Sequence, residues 1–199
     1  MNEQNDGMMQ AFEKQLADNG FFRDVCGEED FDELFKASKK SKESQYNRGV
    51  LVSGGTGCGK TLFARALCPT AIFVDCLTPI GREILENESF IHDHMHEDVI
   101  LDNFGLELDK NEFGQKRSLT AELIIARHSA VTNLPFWKPS LYAMFDDKKP
   151  KIGRIFITTP LTSIDIMEKY GEFVACRIVS LCEEARMTGA TKRQSGINP

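Results

Sequence analysis

The sequence has 199 residues, of which 41% are hydrophobic and 27% are charged, a size and composition that suit one folded domain and exclude a disordered or fibrous chain. It contains neither the roughly 18 to 20 consecutive apolar residues of a membrane span nor the basic and apolar regions of a signal peptide, so we expect a cytoplasmic protein without a membrane partner. The net charge of −6 is uneven, because residues 1–35 hold ten acidic residues against Lys14 and Arg23 while the remainder carries +2, and the overall acidity therefore does not exclude nucleic acid as a ligand.

The first 48 residues differ in composition from the rest. Two short amphipathic helices are predicted at Met8–Ala17 and Glu29–Phe35. The following segment, Lys36–Arg48, carries five positive charges and one negative charge with almost no apolar residues. We interpret this segment as an exposed linker, with contact to a phosphate backbone as the alternative. The chain is accordingly divided into 1–48, with acidic helices and a basic linker, and 49–199, the core.

From Val50 onward, short β-rich runs alternate with helical stretches, a pattern typical of a parallel sheet with crossover helices. Strands are predicted at Val50–Ser53, Ala71–Asp75, Val99–Asp102 and Ile155–Thr159, with a weaker fifth near Ala185–Thr188. Helices are predicted at Lys60–Leu67, Gly81–Glu88, Lys116–Val131, Ser163–Tyr170 and Val174–Cys182. Residues 132–153 fit neither period and contain three prolines, so we interpret them as an insertion.

The strongest motif follows the first predicted strand and has the G-x-x-x-x-G-K-[ST] spacing of a P-loop. Its glycines let successive main-chain N–H groups point into one concavity, and the helix that follows adds its positive N-terminal end. The motif therefore predicts a site for ATP, in which Lys60 reaches the β- and γ-phosphates and Thr61 binds Mg²⁺. Its members are Gly54, Gly55, Thr56, Gly57, Cys58, Gly59, Lys60 and Thr61. We interpret Cys58 as a small side chain turned away from the phosphates, with a redox switch as the alternative.

A second element of such a site is a strand that ends in a carboxylate beside the P-loop and holds Mg²⁺. The run Asp98–Asn103 supplies this strand, with Asp102 as the predicted carboxylate. Asp75, at the end of another predicted strand, is the weaker candidate.

The order of these motifs resembles the AAA+ helicase loaders of the bacterial DnaC type and the related IstB-like ATPases. The matching segments are GVLVSGGTGCGKT, DVILDNFGLE, IFITTPL, EKYGEFVACRI and GATKR. The resemblance covers most of the chain and implies an α/β P-loop NTPase of the AAA+ type, with a parallel sheet between two layers of helices. It also implies binding of ATP with Mg²⁺ and a role in DNA replication or transposition.

The resemblance further implies roles for two arginines. Arg177 matches the finger that reaches the γ-phosphate bound by a neighbouring subunit, which implies self-association in trans; a surface arginine on a helix is the alternative. Arg193 matches an arginine that senses nucleotide in its own subunit, although Lys192 could serve instead. Phe173 stands where the family has another arginine. A replicative helicase or a transposase is the implied partner, but the family's usual helicase-binding module is longer than the segment 1–48.

Three departures from the family pattern surround the predicted reaction centre. One is Phe173. Another is Asn103, which stands where the family usually has the carboxylate that polarises the attacking water, and an amide can orient water but cannot accept its proton. The third, Pro160, replaces the usual polar residue after the two threonines, and Thr158 or Thr159 could substitute for it, so Thr159 is included among the nucleotide-binding residues. Glu107 is either a displaced base or a solvated carboxylate. These changes predict tight ATP binding with slow hydrolysis.

A run of histidines at every second position, His92, His94 and His96, also suggests a metal site. Their imidazoles would share one face only in an extended segment. Because a loop is expected before the Asp102 strand, we interpret the run as an exposed polar loop, with a metal site as the alternative.

The insertion 132–153 combines aromatic and basic residues, among them Trp137 and Lys148. Such a combination would suit single-stranded DNA or a protein partner. Because aromatic residues in a long loop more often hold that loop on its own domain, we interpret the insertion as packed there, with a protein partner or single-stranded DNA as the alternatives.

We therefore predict a Mg-ATP-binding AAA+ protein that turns ATP over slowly. One rival is a nucleotide-gated binding protein without useful hydrolysis, which Asn103 favours. A second rival is a small-molecule kinase, for which clustered arginines over the phosphates would be needed, and only Arg177 and Arg193 are available.

Overall fold

The computed structural model describes residues 3–44, 47–87, 89–107, 110–112, 115–133 and 152–189. The helices are α1 Glu3–Asp18, α2 Glu28–Glu43, α3 Lys60–Leu67, α4 Pro79–Glu86, α5 Phe90–Asp93, α6 Leu119–Asn133, α7 Ser163–Tyr170 and α8 Glu172–Leu181. The strands are β1 Gly49–Gly54, β2 Ile72–Asp75, β3 Val99–Asp102, β4 Lys110–Glu112, β5 Gln115–Arg117, β6 Ile155–Thr159 and β7 Cys182–Met187.

Five of these strands form one parallel sheet in the order β2-β3-β6-β1-β7. The first strand of the core, β1, lies between β6 and β7. The chain therefore runs from β1 to the far edge at β2, returns through β3 and β6, and passes β1 to reach β7. The remaining two strands, β4 and β5, form an antiparallel pair. The prediction of a parallel α/β sheet is confirmed. All five predicted strands belong to it, although the weak fifth starts earlier, at Cys182.

The sheet is covered by helices on both faces, which gives three layers. Alternate residues of β1 point to opposite faces, so Val50 and Val52 contribute to one hydrophobic core and Leu51 to the other. The first core is filled from α1, α2 and α3, and the second from α4, α5, α6, α7 and α8. Among the described helices, none is long and apolar enough to cross a bilayer.

The exposed linker predicted at Lys36–Arg48 is wrong over most of its length, because α2 continues to Glu43. Ala37, Ser38 and Ser41 of this stretch are buried, while the lysines occupy the other side of the helix. The aromatic rings of α1 and α2 pack together, with the centroids of Phe12 and Phe35 5.3 Å apart. The first two helices therefore share one core with the sheet.

Several helix boundaries differ from prediction, and two of them involve a neighbouring strand. The helix predicted from Lys116 begins at Leu119, because residues up to Arg117 form β5. The helix predicted to end at Cys182 ends at Leu181, and Cys182 begins β7 directly. Each change replaces residues at the end of a predicted helix with a strand.

Candidate nucleotide-binding site

The P-loop connects the end of β1 to the start of α3 at the carboxyl edge of the sheet. Its backbone turns through left-handed conformations at Gly57 (φ 82°) and Gly59 (φ 100°), which glycine adopts readily. At residue 54, glycine is required for lack of space, since a Cβ there would lie 2.1 Å from the carbonyl oxygen of Met187 on the neighbouring strand. The glycines thus let the loop pack closely against β7. The loop then leads directly into the N-terminus of α3.

Lys60 is the first residue of α3 and is only 9% exposed. Its Nζ donates hydrogen bonds to the carbonyl oxygens of Gly54 (2.8 Å) and Gly55 (2.6 Å), and to Sγ of Cys58 (3.6 Å). These acceptors are all neutral. Because a buried charge is costly without a counter-charge, this ammonium group favours an anionic ligand in the loop.

Cys58 is part of the loop's own packing. Its side chain is 3% exposed, and Sγ donates to the carbonyl oxygen of Gly55 at 3.0 Å. The thiol is therefore held inside the loop by a main-chain contact.

Thr61 and Asp102 are brought together, as their assignment to one magnesium site requires. The Thr61 hydroxyl donates to Oδ1 of Asp102 at 2.7 Å, and the Asp102 side chain is buried. Thr158, at the end of β6, donates to the same Oδ1 atom. A hydroxyl and a carboxylate are hard oxygen ligands, and Mg²⁺ bound with substrate phosphates takes only one or two such groups from the protein. The pair fits Mg²⁺ in its chemistry.

Asn103 has a left-handed backbone with φ 58° and lies directly after β3. Its side-chain amide donates to Oδ2 of Asp102 at 3.1 Å and to Oδ1 of Asp75 at 3.0 Å. Asp75 is the last residue of β2 and pairs in register with Asp102. Three polar side chains therefore meet at the ends of these two strands.

Thr159 does not face this cluster. Its side chain is fully buried, and the hydroxyl donates to the carbonyl oxygen of Phe104 at 2.6 Å and accepts from the N–H of Leu161 at 3.1 Å. The hydroxyl therefore binds the main chain, and the assignment of Thr159 to the nucleotide site stays a prediction. Of the two threonines, Thr158 is the one that contacts Asp102.

Glu107 is partly exposed, and its carboxylate is tied to neighbouring segments of the protein. Its carboxylate accepts hydrogen bonds from the N–H of Gly105 (2.7 Å), the hydroxyl of Thr120 (2.6 Å) and the phenol of Tyr170. Burial and the adjacent Glu107 carboxylate raise the pKa of Tyr170, so its phenol remains a donor. Glu107 thus ties the segment after β3 to α6 and α7.

Arg177 lies in the middle of α8, and its described hydrogen bond and ring contact are local. Its guanidinium stacks over the ring of Phe173, and Nη1 donates to the carbonyl oxygen of Phe173 at 2.8 Å. Phe173 therefore supports Arg177 where the family pattern has another arginine. Arg193 and residues 134–151 of the predicted insertion lie outside the described residues.

The histidine run is not extended. His92 belongs to α5, and His94 and His96 lie in the turn that follows. Nδ1 of His94 is 3.4 Å from Glu97, and its ring packs on Phe90. Over the described part of the chain, no cluster of three or more His, Cys, Asp or Glu side chains is arranged to hold a metal ion.

Sequence reasoning missed two features of this site. One is the hydrogen bond from Asn103 to Asp75, which depends on the pairing of β2 with β3. The other is the turn at residues 23–25, which lies behind the P-loop: a Cβ at Gly59 would be 2.9 Å from Cγ1 of Val25. The only signal for either was the position of Asp75 at a strand end.

Comparison with known proteins supports the fold. No family model matches the sequence, and no curated protein matches it significantly. Among solved structures, a crystal structure of DnaI is similar, with a TM-score of 0.52 and 12% sequence identity over 87% of this chain and 95% of the other. The chain therefore has a three-layer α/β fold similar to that of DnaI.

Proposed function

We propose that this protein binds ATP with Mg²⁺ at the P-loop and hydrolyses it slowly. The observation that carries the proposal is the buried Lys60 ammonium, which is held only by neutral acceptors in its described contacts, beside the hydrogen-bonded pair Thr61 and Asp102. A triphosphate would supply the missing negative charge. Bound Mg²⁺, held by Thr61 and Asp102, would neutralise charge on the phosphates.

The binding step is tested by calorimetry with ATP in the presence of Mg²⁺. We expect Lys60→Ala to weaken binding at least tenfold, and Lys40→Ala, which removes an exposed lysine of α2, to leave it unchanged. Absence of binding by the wild-type protein, or equal binding by Lys60→Ala, would refute the proposal.

We further propose that the protein acts as a helicase loader does, in DNA replication or transposition. The support is the ordered set of motifs that resembles the DnaC type and the fold similarity to DnaI. A replicative helicase or a transposase is the partner class proposed, with single-stranded DNA as an additional ligand. A mass measurement of complexes formed with a purified replicative helicase, with and without Mg-ATP, tests this; a helicase that forms no complex in either state contradicts the loader role.

Self-association through Arg177 in trans is part of the same proposal. The stacking on Phe173 holds the guanidinium on α8. Among the described contacts of Arg177, none is with the P-loop of its own chain. Light scattering should detect a larger assembly with Mg-ATP, and hydrolysis should fall in Arg177→Ala but not in Arg186→Ala, an exposed control on β7. Equal hydrolysis in both variants would remove Arg177 from the proposal.

A nucleotide-gated binding protein that does not hydrolyse ATP is the second candidate, because Asn103 cannot accept a proton. Phosphate release by the wild-type protein, measured with and without single-stranded DNA, separates the two. Release that stays at the level of Lys60→Ala favours the binding protein, and release above it favours the slow ATPase.

A further inference from the structure

The ends of β2 and β3 carry an amide and a carboxylate in a specific pairing. Asn103 follows the proposed magnesium ligand Asp102, and its amide is directed to Oδ1 of Asp75 on the neighbouring strand, at 3.0 Å. The strand register places Asp75 opposite Asp102. The amide therefore lies between two carboxylates and donates to both.

Asp75 retains an acceptor atom that these contacts do not use. Oδ1 accepts from Asn103 and from the N–H of Leu77 at 3.1 Å, and within the described residues both of its side-chain hydrogen bonds are on this one oxygen. Asp75 is half-buried, in contrast to Asp102, which is only 4% exposed. Its Oδ2 atom is thus available to a water molecule.

The other carboxylate near this edge cannot take that role. Glu107 accepts three hydrogen bonds from the protein itself. A proton on Glu107 would weaken its hydrogen bonds with a buried hydroxyl and a main-chain N–H, which is costly. Asp75 requires no such loss.

We propose that Asp75 is the carboxylate that accepts the proton of the attacking water, and that Asn103 is a positioning residue that holds Asp75 in place. The inference rests on the proposed ATP hydrolysis. In the step, a water oxygen forms a bond to the γ-phosphorus while its proton passes to Asp75. The bond between the γ-phosphorus and the bridging oxygen breaks, and ADP leaves with that electron pair, followed by inorganic phosphate.

The position of Asp75 also accounts for a low rate. In the sheet order, β2 is one strand farther than β3 from β1 and its P-loop. A carboxylate at residue 103 would stand directly after β3. Because proton transfer depends on close approach to the water, Asp75 is a less effective base than a carboxylate at residue 103.

The sharpest test exchanges the Asp75 carboxylate and the Asn103 amide. We expect Asp75→Asn to reduce single-turnover hydrolysis about 100-fold, with ATP affinity unchanged, and Asp75→Glu to retain part of the activity. The double variant Asp75→Asn, Asn103→Asp preserves one amide and one carboxylate and should hydrolyse ATP at least as fast as the wild type. Asp93→Asn, an exposed aspartate of α5, is the matched control and should be unaffected.

A binding measurement provides a second readout. ADP with aluminium fluoride binds together with a water in the attacking position, so calorimetry should find its affinity lowered about tenfold in Asp75→Asn, while the affinity for ADP alone stays the same. Unchanged affinity for the fluoride complex would assign Asp75 to another step and overturn the inference.

The inference and the proposed function fail in different ways. If the wild-type protein does not bind Mg-ATP, the proposed function is refuted. If it binds Mg-ATP but releases no phosphate above the Lys60→Ala level, or if Asp75→Asn hydrolyses as fast as the wild type, Asp75 is not the base.

Discussion

The carboxylate of Asp30 binds the backbone of Thr188, 158 positions later in the chain. Asp30 lies in the first turn of α2, and Thr188 directly follows β7. The carboxylate accepts from the N–H of Thr188 (2.9 Å), its hydroxyl (2.9 Å) and the N–H of Gly189 (2.8 Å). The N-terminal helices are thereby joined to the end of the strand beside the P-loop strand.

We expect Asp30→Ala to destabilise the fold by about 2 to 3 kcal/mol, because it removes a charged acceptor and leaves donors at a partly buried position without a partner. The measurement is urea unfolding followed by circular dichroism. Asp32→Ala is the control, since the described contact of Asp32 is a partly exposed ion pair with Arg23 at 3.7 Å and such pairs contribute about 0 to 1 kcal/mol. Equal midpoints for the two variants would show that the first turn of α2 does not hold the strand end.

The sheet could be predicted from sequence, whereas the course of α2 could not. Strands such as β3 contain continuous apolar runs, here Val99–Leu101, as expected for strands buried on both faces. The second half of α2 instead buries the small residues Ala37, Ser38 and Ser41. Small side chains let the helix approach its neighbours closely but produce no apolar periodicity among the lysines, so the charge pattern alone suggested a linker.

The candidate site was predictable to the extent that it depends on local motifs. The P-loop glycines, Lys60 and Thr61 are adjacent in sequence, and Asp102 ends a recognisable strand. The side-chain contacts of Asp75 with Asn103, of Thr158 with Asp102 and of Glu107 with Tyr170 each join residues at least 28 positions apart. Only strand order and register reveal such contacts.

Arg127 of α6 is a second point at which one side chain holds distant segments. It is 1% exposed and donates to the carbonyl oxygens of His94 (2.7 Å), Glu97 (2.8 Å) and Gly153 (2.7 Å). Burial lowers the pKa of Arg127 to about 10, so the guanidinium remains charged at neutral pH. The described start of β6 and the turn before β3 are both fixed by this one group.

Arg127→Met should therefore lower the free energy of unfolding by at least about 2 kcal/mol, because methionine fills part of the space but removes the guanidinium donor from the carbonyl oxygens of Glu97 and Gly153, while that of His94 still accepts from the N–H of Glu97. Thermal and urea unfolding measure this loss. Arg65→Met is the comparison, since Arg65 is exposed and stacks on Phe73, a contact of about 0.5 to 1 kcal/mol. A loss for Arg127→Met no larger than that comparison would contradict the bridging role.

The six cysteines should differ sharply in reactivity. Cys176 is exposed, and the other five are buried. Burial raises the pKa of Cys182 to about 12, and burial together with Asp98 raises the pKa of Cys68 to about 12, so little thiolate is present at neutral pH. Titration with a chromogenic disulfide should show one fast thiol in the native protein, which Cys176→Ser removes, and six in urea. A second fast thiol in the native protein would mean that one of the buried cysteines is accessible.

Arg177 on α8 also acts on a titratable side chain of α6. Partial burial and the positive charge of Arg177 together lower the pKa of His128 on α6 from its ordinary value near 6.5. Since the unfolded chain then binds a proton more readily than the folded protein does, the contribution of His128 to stability is lost as the pH falls below about 6.5. Stability should decline through that range less steeply in His128→Gln.

The contact itself is measured by NMR titration of the His128 ring. We expect its pKa to rise in Arg177→Ala, because a nearby cation no longer opposes protonation, and to remain the same in Arg186→Ala, which removes an exposed arginine of β7. If the pKa of His128 is insensitive to Arg177, the guanidinium does not lie against α6. A shift that disappears when Mg-ATP is added to the wild-type protein would instead place the guanidinium on the nucleotide of a second subunit, as the proposed assembly requires.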